Sequence, residues 1–341
     1  MFKKILTVPL SGLYALGVSI RHFLYDKHLL LSHSVSVPTI CVGNLALGGT
    51  GKTPMTEYLV RLLLENGYKP AVLSRGYKRT SRGYVFANKF ATVETIGDEA
   101  MQLHQKFRDV PVAVCENRVK GIRFLQQLKD KIDVVILDDA MQHRALRCGL
   151  TILLTPYDQL YIDDHLLPWG NLRDLSSRSL KADAVVVTKC PFDMQPIDMR
   201  VVDNRLHLPS YQQLHFAGIE YDPIEQEGTP LVLCGIAQPK YLMNHVRKFY
   251  PNAELMAYRD HYLYSPKDVD AIIEKAQNFD FVLTTEKDLP RLGTTDLEKR
   301  LADQGKPLIA LPIRQYFCSS KANFDRQILT YVRENTKVNS K

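Results

Sequence analysis

The amino-acid sequence predicts an α/β protein in which a mostly parallel sheet is flanked by helices. Short β-branched apolar runs alternate with longer stretches in which apolar residues recur at helical spacing. Several apolar runs are continuous, as expected of strands that helices cover on both faces. In the first part of the chain, strands are predicted at residues 37–42, 71–74, 110–114, 134–137, 151–154 and 184–188.

The composition is that of a globular protein with more than one core. The 341 residues are 45% hydrophobic and 24% charged, and a length of about 150 residues per domain suggests two domains. The net charge of +7 suits an anionic partner, but no nucleic-acid-binding motif accompanies it, so no nucleic acid is expected. The six cysteines are scattered without a CxxC pair, which favours reduced thiols in a cytosolic protein.

The N-terminal segment is unusually apolar, since residues 5–20 carry no charge and basic residues flank them on both sides. The stretch is shorter than the roughly 20 residues of a spanning helix, and no signal-peptide cleavage pattern follows it. Leu13, Leu16 and Ile20 recur at helical spacing. Residues 1–28 are therefore predicted to form a helix that lies on a membrane surface or, alternatively, one that docks on the domain core.

The regular alternation lapses between residues 206 and 228, in a polar stretch that contains Pro209, Pro223 and Gly228. This predicts a core domain at residues 29–212 and a smaller C-terminal α/β domain at residues 213–341. Strands of the second domain are predicted at residues 231–234, 255–258, 281–285 and 308–311.

A glycine-rich segment lies between the first predicted strand and a helix predicted at residues 53–66. This is the context of a P-loop, in which glycines let the backbone wrap around the phosphates of a nucleotide. Lys52 is placed to bridge the β- and γ-phosphates, and the Thr53 hydroxyl to bind Mg²⁺. The match is a variant, because Ala46 occupies the first glycine position. The predicted nucleotide-binding residues are Gly48, Gly49, Thr50, Gly51, Lys52 and Thr53.

The apolar strand at residues 134–137 ends in two carboxylates, Asp138 and Asp139. A P-loop enzyme needs an acidic group at the end of a neighbouring strand to hold the metal ion and its water shell. The two motifs together predict a nucleoside triphosphatase or a kinase.

Further motifs extend from about residue 38 to about residue 288. They are Val42-Gly-Asn-Leu, Leu73-Ser-Arg-Gly-Tyr-Lys-Arg, Gly97-Asp-Glu, Asp138-Asp-x-x-Gln-His-Arg, Leu167-Pro-x-Gly-x-Leu-Arg, Cys234-Gly-Ile, Asp260-His and Thr285-Glu-Lys-Asp. In these motifs and their order the chain resembles the tetraacyldisaccharide 4'-kinase family of lipid A biosynthesis. Ala100, Ala140, Met141 and Asp174 depart from the family's usual residues.

The resemblance implies transfer of the γ-phosphate of ATP, with Mg²⁺, to the 4'-hydroxyl of a tetraacylated disaccharide 1-phosphate. It places this reaction at the cytoplasmic face of the inner membrane, where the family's N-terminal hydrophobic helix contacts the bilayer. The expected partners are the lipid substrate and the membrane surface, with no obligate protein partner.

The resemblance also implies residue roles. Asp98 is the expected catalytic base and His261 its partner, so the active site lies between the two predicted domains. Glu99, Asp138 and Asp139 are expected to hold the metal with Thr53. Lys52, Asp138, Asp139 and Arg173 complete the catalytic set, and Gln142, His143 and Arg173 line the phosphate site. Arg75, Tyr77 and Arg118 are further candidates for binding the acceptor.

Other classes of protein remain as alternatives. A partition-type ATPase has a similar loop, but it carries a lysine at the position of Leu47. A GTPase is a second alternative, although Pro191 stands where the guanine-reading carboxylate belongs. A membrane-binding module without enzyme activity is the third.

Overall fold

The computed structural model describes residues 2–338, so residue 1 and residues 339–341 of the predicted terminal domains lie outside it. Within this range one sheet has nine strands, ordered β13-β8-β7-β6-β1-β5-β2-β4-β3. Its members are β1 (Thr39–Asn44), β2 (Pro70–Ser74), β3 (Val85–Phe86), β4 (Val112–Val114), β5 (Val134–Asp138), β6 (Leu150–Pro156), β7 (Ala184–Thr188), β8 (Gln213–Tyr221) and β13 (Ile313–Ser319). Only the two edge strands, β3 and β13, pair antiparallel within the described residues.

Helices connect most of these strands, as the alternating sequence pattern predicts. They are α1 (Phe2–Asp26), α2 (Lys52–Glu65), α3 (Val93–Ile96), α4 (Asp98–Lys106), α5 (Arg118–Leu125), α6 (Pro196–Leu206), α7 (Pro239–Phe249), α8 (Pro266–Ala276), α9 (Leu289–Leu292), α10 (Leu297–Ala302) and α11 (Lys321–Val338). The segments Tyr161–Asp163 and Ser176–Lys181 form short 3₁₀ turns.

Apolar side chains cover the nine-stranded sheet on both faces. On one face, Met55 and Leu59 of α2 pack with Phe324 of α11 against the sheet. On the other, Ile122 and Leu125 of α5 belong to a separate buried cluster. The predicted mostly parallel sheet with flanking helices is thus confirmed.

The central strand β1 lies between β5 and β6, with Val42 opposite Asp138 in the parallel register. The carboxyl ends of β1 and β5 therefore meet at one edge of the sheet. Ligands of open parallel sheets bind at this edge, and the glycine-rich loop and both strand-end carboxylates follow from it.

A second sheet has four parallel strands in the order β10-β9-β11-β12 among the described residues. They are β9 (Pro230–Cys234), β10 (Glu254–Ala257), β11 (Phe281–Thr285) and β12 (Leu308–Leu311). This sheet lies within the predicted C-terminal domain at residues 213–341. However, β8 at the start of that segment and β13 near its end pair with each other in the first sheet. The second unit is thus inserted between two strands of the first.

Helix α1 docks on the main body through polar side chains. The Tyr14 hydroxyl donates to the Arg173 carbonyl at 2.9 Å, and the buried His22 Nε2 lies 2.6 Å from Asp174 Oδ1. Asp174 is thus the partner of a helix side chain. Docking, one of the two predicted alternatives, is therefore observed.

The opposite face of α1 stays apolar and exposed. Leu13, Leu16, Ile20 and Phe23 are each more than half exposed, an unusual density of large apolar side chains on one helix face. None of the helices within residues 2–338 has the length and hydropathy needed to cross a membrane.

Candidate active site

Two hydrogen bonds to Thr50 fix the loop between β1 and α2. Asn44 Nδ2 donates to Thr50 Oγ1 at 2.8 Å, and Thr188 Oγ1 donates to the Thr50 carbonyl at 2.8 Å. Gly51 adopts a left-handed conformation with a φ of 87° where the chain enters α2, which favours glycine there. The N–H groups of the first turn of α2 have no intrahelical partner, so this end of the helix is suited to binding phosphate.

The glycine-rich loop leaves room for a ligand. Among the described residues, no atom lies within 4 Å of the position that a Cβ would take at Gly48 or Gly49. A phosphate can therefore approach the backbone of both residues closely.

Lys52, the first residue of α2, lies near three carboxylates, and its charge by itself would lower the pKa of each: Glu99, Asp138 and Asp139. Asp138 is buried at the end of β5, and neither carboxylate oxygen has a hydrogen-bond partner within residues 2–338. Burial, and next the charge of Glu99, raises the pKa of Asp138 to about 7. Burial also raises the pKa of Glu99. The site is therefore short of positive charge.

These carboxylates do not form a complete metal site by themselves. In the part of the chain that the structure describes, no group of three or more His, Cys, Asp or Glu side chains is arranged to hold a metal ion. A cation at Asp138 and Glu99 would need additional oxygen ligands from a hydroxyl, a phosphate or water.

Asp139 and Arg173 form an ion pair. Both terminal nitrogens of Arg173 donate to the Asp139 carboxylate, with Nη1 2.9 Å from Oδ2, and Nη2 also donates to Asn44 Oδ1. Burial alone would raise the pKa of Asp139, but the Arg173 hydrogen bond and the Lys52 charge hold it below its ordinary value. The structure therefore joins two predicted catalytic residues and leaves Asp138 as the unpaired strand-end carboxylate.

Asp98 begins α4 and contacts a residue of the second unit. His261 Nδ1 lies 2.6 Å from Asp98 Oδ2, while Asp98 Oδ1 accepts a hydrogen bond from the Glu99 backbone N–H at 3.0 Å. Burial alone would raise the pKa of Asp98, but the hydrogen bond and charge of His261, with the charges of Arg291 and Lys287, lower it. Asp98 is thus held in its ionised form.

His261 is held from several sides. Its backbone is left-handed with a φ of 58°, and Lys287 Nζ lies 3.3 Å from Nε2. The same Lys287 Nζ donates to Asp260 Oδ1 at 2.8 Å. The ring of Tyr77, from the first unit, packs edge-on at 5.4 Å between centroids. The residue is therefore a fixed partner of Asp98 rather than a mobile surface histidine.

Gln142 contacts the end of the strand that leads into the loop, whereas His143 contacts Arg118. Gln142 Nε2 donates to the Asn44 carbonyl at 2.7 Å. His143 Nε2 accepts from the Arg118 backbone N–H at 3.4 Å, and burial followed by the charge of Arg118 lowers the pKa of His143 to about 4. His143 is therefore neutral at physiological pH. The predicted candidates Arg118 and Tyr77 thus lie beside predicted site residues.

Sequence reasoning missed two residues of this region. Asn44 contacts Thr50, Gln142 and Arg173, and although it belongs to the motif Val42-Gly-Asn-Leu, the sequence analysis assigned it no role. Arg291 is buried, donates to Asp288 at 2.6 Å, and places its Nε 3.9 Å from Asp98 Oδ2. Asp288 belonged to a motif without an assigned role, and no pattern singled out Arg291.

A parallel sheet, a glycine-rich loop with its lysine at the central strand, and carboxylates facing that lysine define a P-loop enzyme of the phosphoryl-transfer class. Comparison with known proteins specifies the family. A model of the LpxK family, described as tetraacyldisaccharide-1-P 4'-kinase, matches residues 3–333. The chain belongs to this family.

Individual relatives agree. The chain is 43% identical to the tetraacyldisaccharide 4'-kinase of Flavobacterium johnsoniae over 348 residues, covering 98% of each chain. It is 42% identical to that of Bacteroides thetaiotaomicron, covering 97% of this chain and 94% of the relative. The crystal structure of LpxK from Aquifex aeolicus in complex with ATP superposes with a TM-score of 0.73 at 27% identity, covering 97% and 99% of the two chains. Family membership selects the kinase over the partition-type ATPase and the GTPase.

Proposed function

We propose that the reaction takes place in the cleft between the glycine-rich loop and the Asp98–His261 pair. As a member of its family, the chain is an ATP-dependent kinase of lipid A biosynthesis. It transfers the γ-phosphate of ATP to the 4'-hydroxyl of a tetraacyldisaccharide 1-phosphate.

The hydrogen bond between Asp98 and His261 is the observation that carries the assignment of the base. A sugar hydroxyl that attacks the γ-phosphate must lose its proton, and an ionised carboxylate at hydrogen-bond distance accepts it. In this proposal Asp98 takes the proton from the 4'-hydroxyl as the new O–P bond forms and ADP leaves. His261 is a positioning residue that holds the carboxylate by Oδ2.

Lys52 and the N–H groups of the loop hold the β- and γ-phosphates in this proposal. Arg173 adds positive charge near the transferred group, with Gln142 and His143 lining the same side. Because Arg173 is fixed by Asp139 and by Asn44, its guanidinium is oriented before the nucleotide binds.

The residues present fit a magnesium ion. When bound, Mg²⁺ would neutralise negative charge on the phosphate oxygens of ATP. The unpartnered oxygens of Asp138 and the nearby Glu99 are hard anionic ligands of the kind that Mg²⁺ takes. The Thr53 hydroxyl would be a third ligand. Asp139 would act through its contact with Arg173, or through water, rather than by direct binding.

We further propose that α1 contacts the cytoplasmic face of the inner membrane. Each acyl chain of the substrate stabilises it in the bilayer by about 0.8 kcal/mol per buried CH₂, so the enzyme must reach the substrate there. The exposed apolar face of α1 supports this contact. The polar face of the helix meets Arg173 and Asp174, so the membrane contact lies next to the phosphate-binding side.

Because Asp98 and His261 belong to different units, we expect ATP to draw the units together and exclude water from the reaction. Closure would keep ATP from being hydrolysed before the lipid acceptor binds.

The direct test incubates purified protein with Mg-ATP and the lipid disaccharide 1-phosphate in detergent micelles. We expect a bis-phosphorylated product, and no product above background with Lys52→Ala. Release of ADP without a phosphorylated lipid would instead indicate an ATPase and contradict the proposed site.

A further inference from the structure

A cavity of about 560 Å³ lies between the end of α1 and the segment that follows β5. Tyr25 and Asp26 line it from α1, while Arg144 and Arg147 line it from the segment after β5. The 3₁₀ turn Ser176–Lys181 closes another side. Of the residues that line the cavity, the mechanism proposed above uses only His143.

The lining carries an excess of positive charge. Four cationic side chains surround the cavity, and Asp26 is its one carboxylate within the described residues. These cations are Arg144, Arg147, Arg178 and Lys181. Arg144 already has partners, since Nη2 lies 2.6 Å from Asp26 Oδ1 and Nη1 donates to the His22 carbonyl at 2.9 Å.

The other three cations have no such partner. Within residues 2–338, the side chains of Arg147, Arg178 and Lys181 form no hydrogen bond and no ion pair. Arg178 is half-buried, whereas Arg147 and Lys181 are exposed at the rim of the cavity. Burial, and next the like charge of Arg144, lowers the pKa of Arg178, while the charges of Asp174 and Asp26 act in the opposite direction. Like charges gathered at one cavity favour the binding of an anion between them.

The remaining lining is mixed in polarity. Cys41, Ala140, Met141 and Leu146 contribute apolar surface to the cavity wall, and the polar side chains there are those of His28, Ser32, His143 and Thr151. A cationic rim with apolar surface beside it suits a phosphate group attached to a larger carrier better than it suits a free inorganic ion.

The location also restricts the ligand. Tyr25 and Asp26 lie two and three positions after Phe23, the last exposed residue of the apolar face of α1, and Leu29 and Leu31 beyond them are also exposed. Groups beside an apolar face of this kind lie at the level of lipid headgroups when that face is buried in a bilayer.

We propose that this cavity is a second phosphate site, which binds a lipid-linked phosphate through Arg147, Arg178 and Lys181. Two lipids carry such a group: an anionic phospholipid of the bilayer, and the disaccharide substrate with its 1-phosphate. The proposal uses the membrane contact of α1 only to explain how the first of these reaches the cavity.

The test uses the full chain with Arg147→Gln, Arg178→Gln and Lys181→Gln combined. The matched control carries Lys240→Gln, Arg247→Gln and Lys248→Gln, which remove the same charge from α7 of the second unit, where no residue lines the cavity. One arm measures binding to neutral phosphatidylcholine vesicles and to vesicles with about 20% anionic phosphatidylglycerol. The other arm measures the KM for the lipid disaccharide in uncharged detergent micelles.

If the ligand is a bilayer phospholipid, the cavity variant loses about tenfold or more of its binding to anionic vesicles. It then keeps its binding to neutral vesicles and its micelle KM. If the ligand is the substrate's own phosphate, the micelle KM rises about tenfold or more while kcat at saturation is kept.

The proposal is overturned if neither quantity changes, or if the control variant changes as much as the cavity variant. Wild-type protein that binds neither kind of vesicle would contradict the membrane contact of α1. The KM measurement in micelles would still test the cavity in that case. Failure of the proposed membrane contact and failure of the proposed phosphate site are therefore distinguishable.

Discussion

His261 Nδ1 lies 2.6 Å from Asp98 Oδ2, although 163 positions separate the two residues in the chain. One residue begins α4 beside the nine-stranded sheet, and the other follows β10 of the inserted unit. The pair exists only when both units are folded and in contact. Activity therefore depends on their relative position as well as on each unit.

Replacing His261 by glutamine tests the positioning role. We expect kcat to fall about 10- to 100-fold, less than for loss of the base itself. The hydrogen bond and charge of His261 lower the pKa of Asp98 against the effect of burial. Without them that pKa rises, so the acidic limb of the kcat/KM profile moves to higher pH.

A purely structural role of His261 would lower activity by the same factor at every pH. An unchanged acidic limb in His261→Gln would therefore reject the positioning role. Glutamine retains a hydrogen-bond donor, so His261→Ala should shift the limb further.

Replacing Asp138 by asparagine tests whether its buried, unpartnered carboxylate destabilises the metal-free protein. The folded-state pKa of about 7 is above the unfolded value, so the wild type loses stability as pH rises from about 4 through about 7. We expect the stability of Asp138→Asn relative to wild type to rise by roughly 1–4 kcal/mol between pH 5 and pH 8. Chemical unfolding in EDTA at both pH values measures this difference.

Kinase activity of Asp138→Asn should fall even as its stability at pH 8 improves. A pH-independent stability difference would show that the Asp138 carboxylate is solvated or paired in solution. Asp325→Asn supplies a control, since its carboxylate has the Tyr58 hydroxyl as a partner at 2.5 Å.

Replacing Arg173 by lysine keeps the positive charge but removes the bidentate hydrogen bonding to the Asp139 carboxylate. We expect kcat to fall about 10- to 1000-fold with little change in ATP affinity. Arg205→Lys, at the exposed ion pair with Asp163, should keep wild-type kinetics. Equal effects of the two substitutions would remove Arg173 from the catalytic set.

The exposed face of α1 is tested with Leu16→Glu and Ile20→Glu together. The side chains face away from the docked surface, so the protein should fold while its binding to lipid vesicles falls about tenfold or more. Trp169, the only tryptophan in the sequence, donates its backbone N–H to Ser11 of α1 and reports on this region by its fluorescence. Phe249→Glu, on an exposed position of α7, is the control. Unchanged vesicle binding of the α1 variant would place the membrane contact elsewhere.

Local patterns predicted most of the sheet and the phosphate loop. The helix predicted at residues 53–66 spans Lys52–Glu65, and the strand predicted at residues 281–285 is β11. These elements follow from short-range periodicity, from glycines that end helices, and from the fixed order of a P-loop strand, loop and helix.

Long-range pairing was not predictable from the same patterns. No periodicity indicates that β13 returns to the first sheet beside β8, because register between distant strands depends on tertiary packing. The pairing of Arg173 with Asp139 was missed for a similar reason. Each residue had a plausible partner in the nucleotide or the metal, and only the fold shows that they meet.

The most direct test of Asp98 as the catalytic base is the turnover of Asp98→Asn with saturating Mg-ATP and lipid disaccharide. Asparagine keeps the size of the side chain but accepts no proton, so kcat should fall about 10²- to 10⁴-fold while ATP affinity stays at the wild-type value. A kcat within a few-fold of wild type would contradict the assignment of Asp98 as the base, and with it the proposed cleft.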